Sequence, residues 1–372
     1  MKKTILYIGG FELPDKNAAA LRVIANSKAI EILGLKVVLI GFDRGFSNYE
    51  SIIKTRRNIS SFDSYSLPYP DNVMEWAKYL MNYKPYYEVM HSIPNLSGVV
   101  LYNFPAYLSI KIRSLCKKKN IKCYADVTEW YSAMNGSFFY RLIKNLDTFL
   151  RIRIVNKSMD GLIVISEFLK KYYKNHQCVI LIPPLTDYCT HNHDIVSKKI
   201  RKHLRLVYAG VPEKKDCLDL LIKGVSLSSR PFVLDIIGIS KEQFLNLHPE
   251  LSVLLTRNII FHGRVNHSEV LRVLHEADFS VFFRHNTRMV KAGFPTKFVE
   301  ALSNGIPVIT NNVSDLERYM ISKNGVLIET ISTDAIAEVI DTVNGSFLVE
   351  TDLFFYEKYV DCFKFLFEGE CV

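Results

Sequence analysis

The stretch from Lys291 to Thr310, KAGFPTKFVEALSNGIPVIT, carries the most specific pattern in the sequence. Gly293 begins a turn that leads into a predicted helix, and Asn304-Gly305 ends this helix before Pro307 starts a strand. A glycine turn before a helix N-terminus presents backbone N–H groups and a partial positive charge to an anionic ligand. The stretch therefore predicts a turn–helix–strand unit with an anion-binding end.

Lys297 and Glu300 lie one helical turn apart in this predicted helix. A carboxylate at such a position can accept hydrogen bonds from both hydroxyls of a ribose. The alternative is an ordinary helix whose lysine and glutamate form an i,i+3 pair on the surface. The spacing alone leaves both interpretations open.

Short apolar runs alternate with longer amphipathic stretches on both sides of this segment. Runs such as Thr4–Gly9 and Leu204–Ala209 predict buried strands, and the intervening helices predict parallel sheets covered on both faces. The fold class is therefore α/β, with two doubly wound Rossmann-like domains facing a central cleft, and ligands are expected at the carboxyl ends of the strands.

The domain boundaries follow from one interruption in this pattern. Thr186–His203 is polar and without clear periodicity, which is typical of a linker. We therefore predict an N-terminal domain over residues 1–186, a linker over 187–203 and a C-terminal domain over 204–345. Residues 346–372 are expected to form a closing helix that packs back on the N-terminal domain.

The quoted stretch resembles the E-x7-E region of the retaining family 4 glycosyltransferases, which have the GT-B fold. Glu300 falls on the second glutamate of that motif, which in the family holds the nucleotide ribose. Gly293 and Phe294 fall on the glycine-rich loop beside the donor sugar. The resemblance covers nearly the whole chain and is to members that act in bacterial surface-polysaccharide assembly.

The resemblance implies an N-terminal domain on the acceptor side and a C-terminal domain that binds the nucleotide sugar. Gly9-Gly10 falls on the family's first loop, where the donor phosphates and the acceptor are approached, and Gly263-Arg264-Val265 falls on its nucleobase loop. Lys214-Lys215-Asp216 falls on the opening of its C-terminal domain, whose basic residues bind the diphosphate. The implied donor-binding residues are Gly10, Lys214, Lys215, Arg264, Gly293, Phe294, Lys297 and Glu300. The implied catalytic residues are Lys215, Asp126 and Glu129.

Two positions depart from the family pattern. Ala292 stands where the first glutamate of E-x7-E would lie, and Val211 replaces an arginine that often follows the first glycine of the C-terminal domain. The diphosphate is then expected to be bound by Lys214 or Lys215, with help from Arg264, Arg284 or Arg288.

The expected reaction breaks a sugar–phosphate bond, which builds negative charge on the departing diphosphate. Fixed cations and helix-terminal N–H groups stabilise such charge. No DxD-like carboxylate pair is present to hold Mg²⁺, so neither a metal nor a cofactor is expected beyond the nucleotide-sugar substrate. Asp126 and Glu129 are candidates for positioning the sugar or the acceptor hydroxyl. For Asp126, a helix cap or a strand-end turn residue is the alternative.

The charge is unevenly distributed along the chain. Residues 1–186 hold 26 basic and 14 acidic residues, a net charge of +12, whereas the rest of the chain holds 21 and 24, a net charge of −3. Such asymmetry indicates an anionic partner for the first half. We expect an anionic membrane surface with a lipid-linked or oligosaccharide acceptor. No recognition motif for nucleic acid is present, so none is expected.

Two basic stretches are candidates for the membrane contact, Ala106–Asn120 and Arg141–Lys157. Both also carry apolar residues, so their apolar faces could instead pack on the sheet. Seven scattered cysteines are typical of a reduced cytosolic protein. The apolar run at the N-terminus ends at Gly9-Gly10 and is interpreted as a strand rather than a signal peptide. The expected location is the cytoplasm, peripheral on the inner face of the cytoplasmic membrane.

Three other functions compete with sugar transfer as explanations of this sequence. A nicotinamide-dependent dehydrogenase should show G-x-G-x-x-G after the first strand, and Gly9-Gly10-Phe11-Glu12 lacks it. A nucleotide-sugar 2-epimerase of the same fold stays open, as does a non-catalytic partner in a polysaccharide assembly complex.

Overall fold

The computed structural model describes residues 2–14, 17–46, 51–130, 138–188, 195–213, 215–320 and 324–369. The chain divides into two compact units. The first comprises Met1–Asp187, Ala292–Phe294 and Tyr356–Val372, and the second comprises Tyr188–Lys291 and Pro295–Phe355.

The first unit is built on an eight-stranded sheet with the order β3-β4-β2-β1-β5-β6-β7-β8. Neighbouring strands are parallel, except that β3 and β4 are antiparallel. The strands are β1 (Thr4–Glu12), β2 (Lys36–Asp43), β3 (Arg57–Ile59), β4 (Phe62–Pro68), β5 (Leu96–Tyr102), β6 (Lys122–Val127), β7 (Gly161–Val164) and β8 (Val179–Leu181).

Helices cover this sheet, and buried side chains of the strands and helices together form the core of the first unit. Tyr7, Ile24, Val100 and Ile163 belong to one apolar cluster, which Phe363 joins from the end of the chain. The α-helices of this unit are α1 (Ala18–Ile32), α2 (Val73–Met81), α3 (Lys84–Ser92), α4 (Ala106–Lys118), α5 (Phe138–Leu150) and α6 (Glu167–Tyr172), with the closing helix α14 (Val360–Glu368). Short 3-10 or π-helical turns span Ile52–Thr55, Arg151–Val155, Asn156–Ser158 and Tyr356–Tyr359.

The second unit contains a six-stranded parallel sheet with the order β12-β11-β10-β13-β14-β15. Its strands are β10 (Leu204–Ala209), β11 (Phe232–Ile237), β12 (Ile259–Gly263), β13 (Phe279–Val281), β14 (Val308–Asn311) and β15 (Gly325–Ile328). The strand order reverses beside β10, and ligands bind in open α/β sheets at such a switch point.

Six α-helices belong to the described part of the second unit, and a seventh bridges the two units in sequence. They are α7 (Leu218–Leu227), α8 (Lys241–Leu247), α9 (His267–Glu276), α10 (Arg288–Ala292), α11 (Thr296–Ser303), α12 (Leu316–Tyr319) and α13 (Thr333–Thr342). The bridging helix is α10, whose last residue belongs to the first unit. A 3-10 turn spans Pro249–Leu254.

Two short strands correct the predicted linker and the predicted closing helix. β9 (Ile195–Lys199) lies inside the segment 187–203, and β16 (Ser346–Glu350) lies inside the segment 346–372. They pair antiparallel, with Val196 opposite Val349. Each strand has only five residues, and its partner lies far away in the sequence. Local periodicity therefore could not predict the pair.

Candidate active site

Two glycines meet in the second unit where neighbouring strands end. Gly210 follows β10 and Gly238 follows β11, with φ angles of 122° and 108° that favour glycine. A Cβ on Gly238 would lie 2.5 Å from the carbonyl carbon of Gly210, and one on Gly210 would lie 2.8 Å from Cε of Lys297. These strand ends therefore carry no side chains, and Lys297 packs directly against the backbone.

Lys297 begins a cluster of polar side chains at these strand ends. Its side chain is 10% exposed, and Nζ donates to the Tyr208 hydroxyl at 2.8 Å and to Oδ2 of Asp216 at 3.3 Å. Nε of Arg284 donates to the other oxygen of Asp216 at 2.8 Å. We call these four residues the Asp216 cluster. Two cations share one buried carboxylate, so the cluster carries a net positive charge.

Burial and charge act in opposite directions on the pKa values of this cluster. Burial lowers the pKa of Lys297 to about 8, although the Asp216 charge offsets part of this effect. Burial raises the pKa of the Asp216 carboxyl, but Lys297 and Arg284 outweigh it and lower this pKa below its usual value. An anion beside Lys297 would raise the lysine pKa again, because it favours the charged form.

The loop after β10 is held against the end of β13. The backbone N–H of His285 donates to the Lys215 carbonyl at 3.2 Å, and the N–H of Cys217 donates to the Phe283 carbonyl at 2.9 Å. The Lys215 ammonium lies 2.8 Å from a carboxylate oxygen of Glu213 and is partly exposed. Lys214 lies outside the described residues. The loop thus places Lys215 next to Asp216, at the edge of the cluster.

Glu300 lies one turn after Lys297 on α11, and its side chain is 29% exposed. Its carboxylate is 3.8 Å from Nδ1 of His267. Burial raises the pKa of Glu300, and the charges of His267 and Lys297 oppose this shift. Lys297 forms its ion pair with Asp216 rather than with Glu300 in the part of the chain that the structure describes. The alternative of an ordinary surface pair is therefore wrong.

Arg264 lies on the loop that leads towards His267. It directly follows β12, and its side chain is exposed. Because His267 begins α9 and contacts Glu300, the predicted nucleobase loop and the predicted ribose carboxylate lie in one region of the second unit.

Gly293 and Phe294 group with the first unit rather than with the Asp216 cluster. Phe294 is buried, and so is the neighbouring Ala292, whose carbonyl accepts a hydrogen bond from the Ser166 hydroxyl at 3.0 Å. Ala292 is the position of the missing first glutamate, and its side chain is fully enclosed.

Asp126 lies in a buried network of hydrogen bonds in the first unit. It is fully buried, and it accepts hydrogen bonds from Nε and Nη2 of Arg22 at 3.0 and 2.8 Å and from the Tyr7 hydroxyl at 2.5 Å. Nη1 of Arg22 donates to the carbonyls of Ile182 and Pro183, at 2.9 Å each. Asp126 therefore positions Arg22 and ties β1, α1, β6 and the segment after β8 together. The sequence predicted that Asp126 positions the sugar or the acceptor hydroxyl, whereas in this structure Arg22 and Tyr7 enclose its carboxylate.

Glu129 and Gly10, the other predicted residues of the first unit, remain accessible. Glu129 follows β6 by two residues and is exposed, and Gly10 is the exposed position of β1. Neither contacts the buried Asp126 network through any described hydrogen bond. Both therefore stay predictions.

The contacts of Arg22, Tyr208 and Asp216 were not predicted from the sequence. Tyr208 and Asp216 lie in stretches quoted from the sequence, but an arginine in a helix and an aspartate in a polar loop are usually solvated. One signal was available for Arg22. It lies in a helical stretch of otherwise small and apolar residues, Ala18 to Ile24, where a buried charge requires a partner.

Comparison with solved structures establishes the fold class. The lipopolysaccharide outer core galactosyltransferase WaaB shares 14% identity over 99% of this chain and 100% of its own, with a TM-score of 0.64. Sucrose-phosphate synthase from Thermosynechococcus elongatus shares 14% identity and Anabaena HepE, solved with UDP and glucose, shares 12%. Each covers 91% of this chain and 89% of its own, with a TM-score of 0.62. The predicted GT-B fold is confirmed.

A comparison of families narrows the class further. Residues 192–344, about two fifths of the chain, match the family described as Glycosyl transferases group 1. The matched range lies almost wholly within the second unit, and the match supports glycosyl transfer as the class of activity. A search of curated proteins gives no significant match.

Proposed function

We propose that this protein transfers a sugar, with retention, from a nucleotide-diphosphate donor to a growing, lipid-linked surface glycan. The Asp216 cluster carries the proposal. The cluster carries an excess positive charge next to Gly210 and Gly238, the glycines that follow β10 and β11. Because these residues have no side chains, a diphosphate can approach the backbone closely there. Anabaena HepE, which shares the fold, was solved with UDP-glucose.

The cations of the second unit supply the main catalytic effect in this proposal. As the sugar–phosphate bond breaks, negative charge grows on the diphosphate, and Lys297, Arg284 and Lys215 stabilise it from fixed positions. Such preorganised charges need no reorganisation during the reaction. Glu300 accepts hydrogen bonds from the ribose, and Arg264 lies beside the nucleobase. The reaction then proceeds without a metal ion.

The acceptor side belongs to the first unit in this proposal. Glu129 is exposed after β6 and can position an acceptor hydroxyl, whereas Asp126 is enclosed. No protein nucleophile is assigned. The lipid-linked acceptor is supported by the net charge of +12 in residues 1–186 and by the shared fold with a lipopolysaccharide galactosyltransferase. We therefore place the enzyme at the inner face of the cytoplasmic membrane. In the described residues, no helix has the length and apolar character needed to cross a bilayer.

A thermal-shift screen with UDP-, GDP- and ADP-sugars tests the proposal. A donor at about 100 times its Kd stabilises the protein by about 2.7 kcal/mol. The shift should be lost in Lys297→Met and kept in Lys223→Met, which alters a lysine on α7 paired with Asp219. No shift with any nucleotide sugar would favour the non-catalytic partner.

The donor found in this way is then incubated with and without a lipid-extract acceptor. If the nucleotide is released only when the acceptor is present, the result supports sugar transfer. Release of nucleotide or epimerisation of the sugar without an acceptor would support the epimerase instead.

A further inference from the structure

Helix α5 presents an apolar face to solvent. Five of its side chains have exposed fractions between 48% and 73%: Phe138, Leu142, Ile143, Leu146 and Phe149. Residues 138, 142, 146 and 149 follow helical spacing, so they line one side of the helix. We call these five residues the apolar stripe. An exposed apolar surface of this kind marks an interaction site.

The opposite side of α5 is fixed to the body of the first unit. Asp147 accepts a hydrogen bond from the backbone N–H of Ala106 at 2.7 Å, Thr148 is buried, and so is Arg151 just beyond the helix. The apolar stripe is therefore exposed because of how the helix is anchored.

The other candidate membrane surface behaves differently. In α4, Leu108 and Ile112 are fully buried against the sheet, and Ile110 is exposed. For the stretch Ala106–Asn120, the structure thus favours packing on the sheet. For Arg141–Lys157, it leaves much of the apolar face uncovered.

Basic residues lie near the apolar stripe in the sequence, and one of them contacts it. Arg141, Arg153 and Lys157 are exposed, and the Arg153 guanidinium lies 4.9 Å from the centre of the Phe149 ring. A helix with arginines and lysines beside a Phe- and Leu-rich face is suited to lie in the plane of an anionic lipid surface.

We propose that α5 inserts its apolar stripe into the headgroup region of an anionic bilayer, with Arg141, Arg153 and Lys157 contacting lipid phosphates. A second copy of this chain is a less favourable occupant. A twofold contact through the stripe would bring the same cations of two copies together, and like charges repel. The proposal rests on the membrane location proposed above but not on the transfer reaction.

The mode of contact has a consequence for salt dependence. At 1 M salt the screening length falls to about 3 Å, so attraction between the cations and the lipids is largely removed. Burial of the apolar side chains remains. Membrane binding should therefore weaken with salt without vanishing, and it should need the apolar stripe at every salt concentration.

Vesicle flotation with the full-length protein tests this proposal. Vesicles of phosphatidylglycerol and phosphatidylethanolamine are compared with phosphatidylcholine vesicles, at about 0.1 M and 1 M salt. Leu142→Glu/Leu146→Glu should lower the bound fraction by about tenfold or more. The matched control is Leu247→Glu/Val253→Glu, which changes two exposed apolar residues of the second unit, 68% and 83% exposed. This control should bind like the wild type.

Three results would overturn the proposal. They are no binding of the wild type to anionic vesicles, wild-type binding by the stripe variant, and loss of binding only when Lys117, Lys118 and Lys119 become Glu. A dimer that the stripe variant dissociates, without vesicle binding, would assign the surface to a second copy. The donor-induced thermal shift of the stripe variant should equal that of the wild type, so failure of the membrane proposal is separable from failure of donor binding.

Discussion

Nζ of Lys297 lies 3.3 Å from Oδ2 of Asp216, and this contact joins residues 81 positions apart in the sequence. The pair holds the lysine against the Gly210 backbone at the end of β10 before any ligand arrives. A charge that is already in place stabilises a departing diphosphate without the cost of reorganisation.

The affinity for the nucleotide-sugar donor should fall as the pH rises through 8. Burial lowers the pKa of Lys297 from its ordinary 10.5 to about 8, so the positive charge is present below pH 8 and is lost above it. Between pH 7 and pH 9 the charged fraction falls by about tenfold, and affinity measured by titration calorimetry should fall by a similar factor. Lys297→Met should bind more weakly at pH 7 and show no such dependence. A variant that keeps the wild-type pH profile would show that Lys297 does not contact the donor.

Glu300→Gln should retain the fold and bind the donor about ten- to a hundredfold more weakly. The ribose hydroxyls would lose a charged acceptor, and hydrogen bonds to charged groups contribute about 1.5–3 kcal/mol. Glu338→Gln, which alters an exposed glutamate of α13, is the control and should leave affinity unchanged. Calorimetry measures both. Equal affinities of Glu300→Gln and wild type would remove Glu300 from the donor site.

Turnover should persist in EDTA, because Lys297, Lys215 and Arg284 stabilise the diphosphate in place of a divalent cation. Lys215→Ala should lower kcat more than it weakens donor binding, because the negative charge on the diphosphate, which Lys215 stabilises, grows in the transition state. Steady-state kinetics with and without chelator measure both effects. Activity that disappears with EDTA and returns with Mg²⁺ or Mn²⁺ would refute the diphosphate assignment.

Asp126→Asn should destabilise the first unit by about 3–5 kcal/mol, because Arg22 would keep its charge in a buried site without a counter-charge. The pair that it removes is almost completely enclosed, with Arg22 3% and Asp126 0% exposed. Asp187→Asn breaks the partly exposed pair with Lys28 and should cost no more than about 1 kcal/mol. Urea unfolding measures both variants. A stable Asp126→Asn variant with reduced kcat would restore the catalytic role that the structure argues against.

Much of the fold could be predicted from the sequence because its signals are local. The run Thr4–Gly9 lies within β1, and Leu204–Ala209 coincides with β10, since buried parallel strands read as continuous apolar runs. The pair β9 and β16 escaped prediction because each strand is stable only through a partner about 150 residues away. Five residues of alternating burial are too few to distinguish such a strand from a loop.

The sequence by itself determined the buried parallel strands such as β1 and β10 and the helices between them, and that Lys297 and Glu300 lie on one helix after a glycine turn. Only the tertiary structure decided what these side chains contact. Lys297 pairs with Asp216 instead of Glu300, Asp126 is enclosed by Arg22, and α4 buries most of its apolar face while α5 exposes its own. Periodicity shows that one face of a helix is apolar. What that face contacts depends on how the helix is anchored to the sheet by residues distant in the chain.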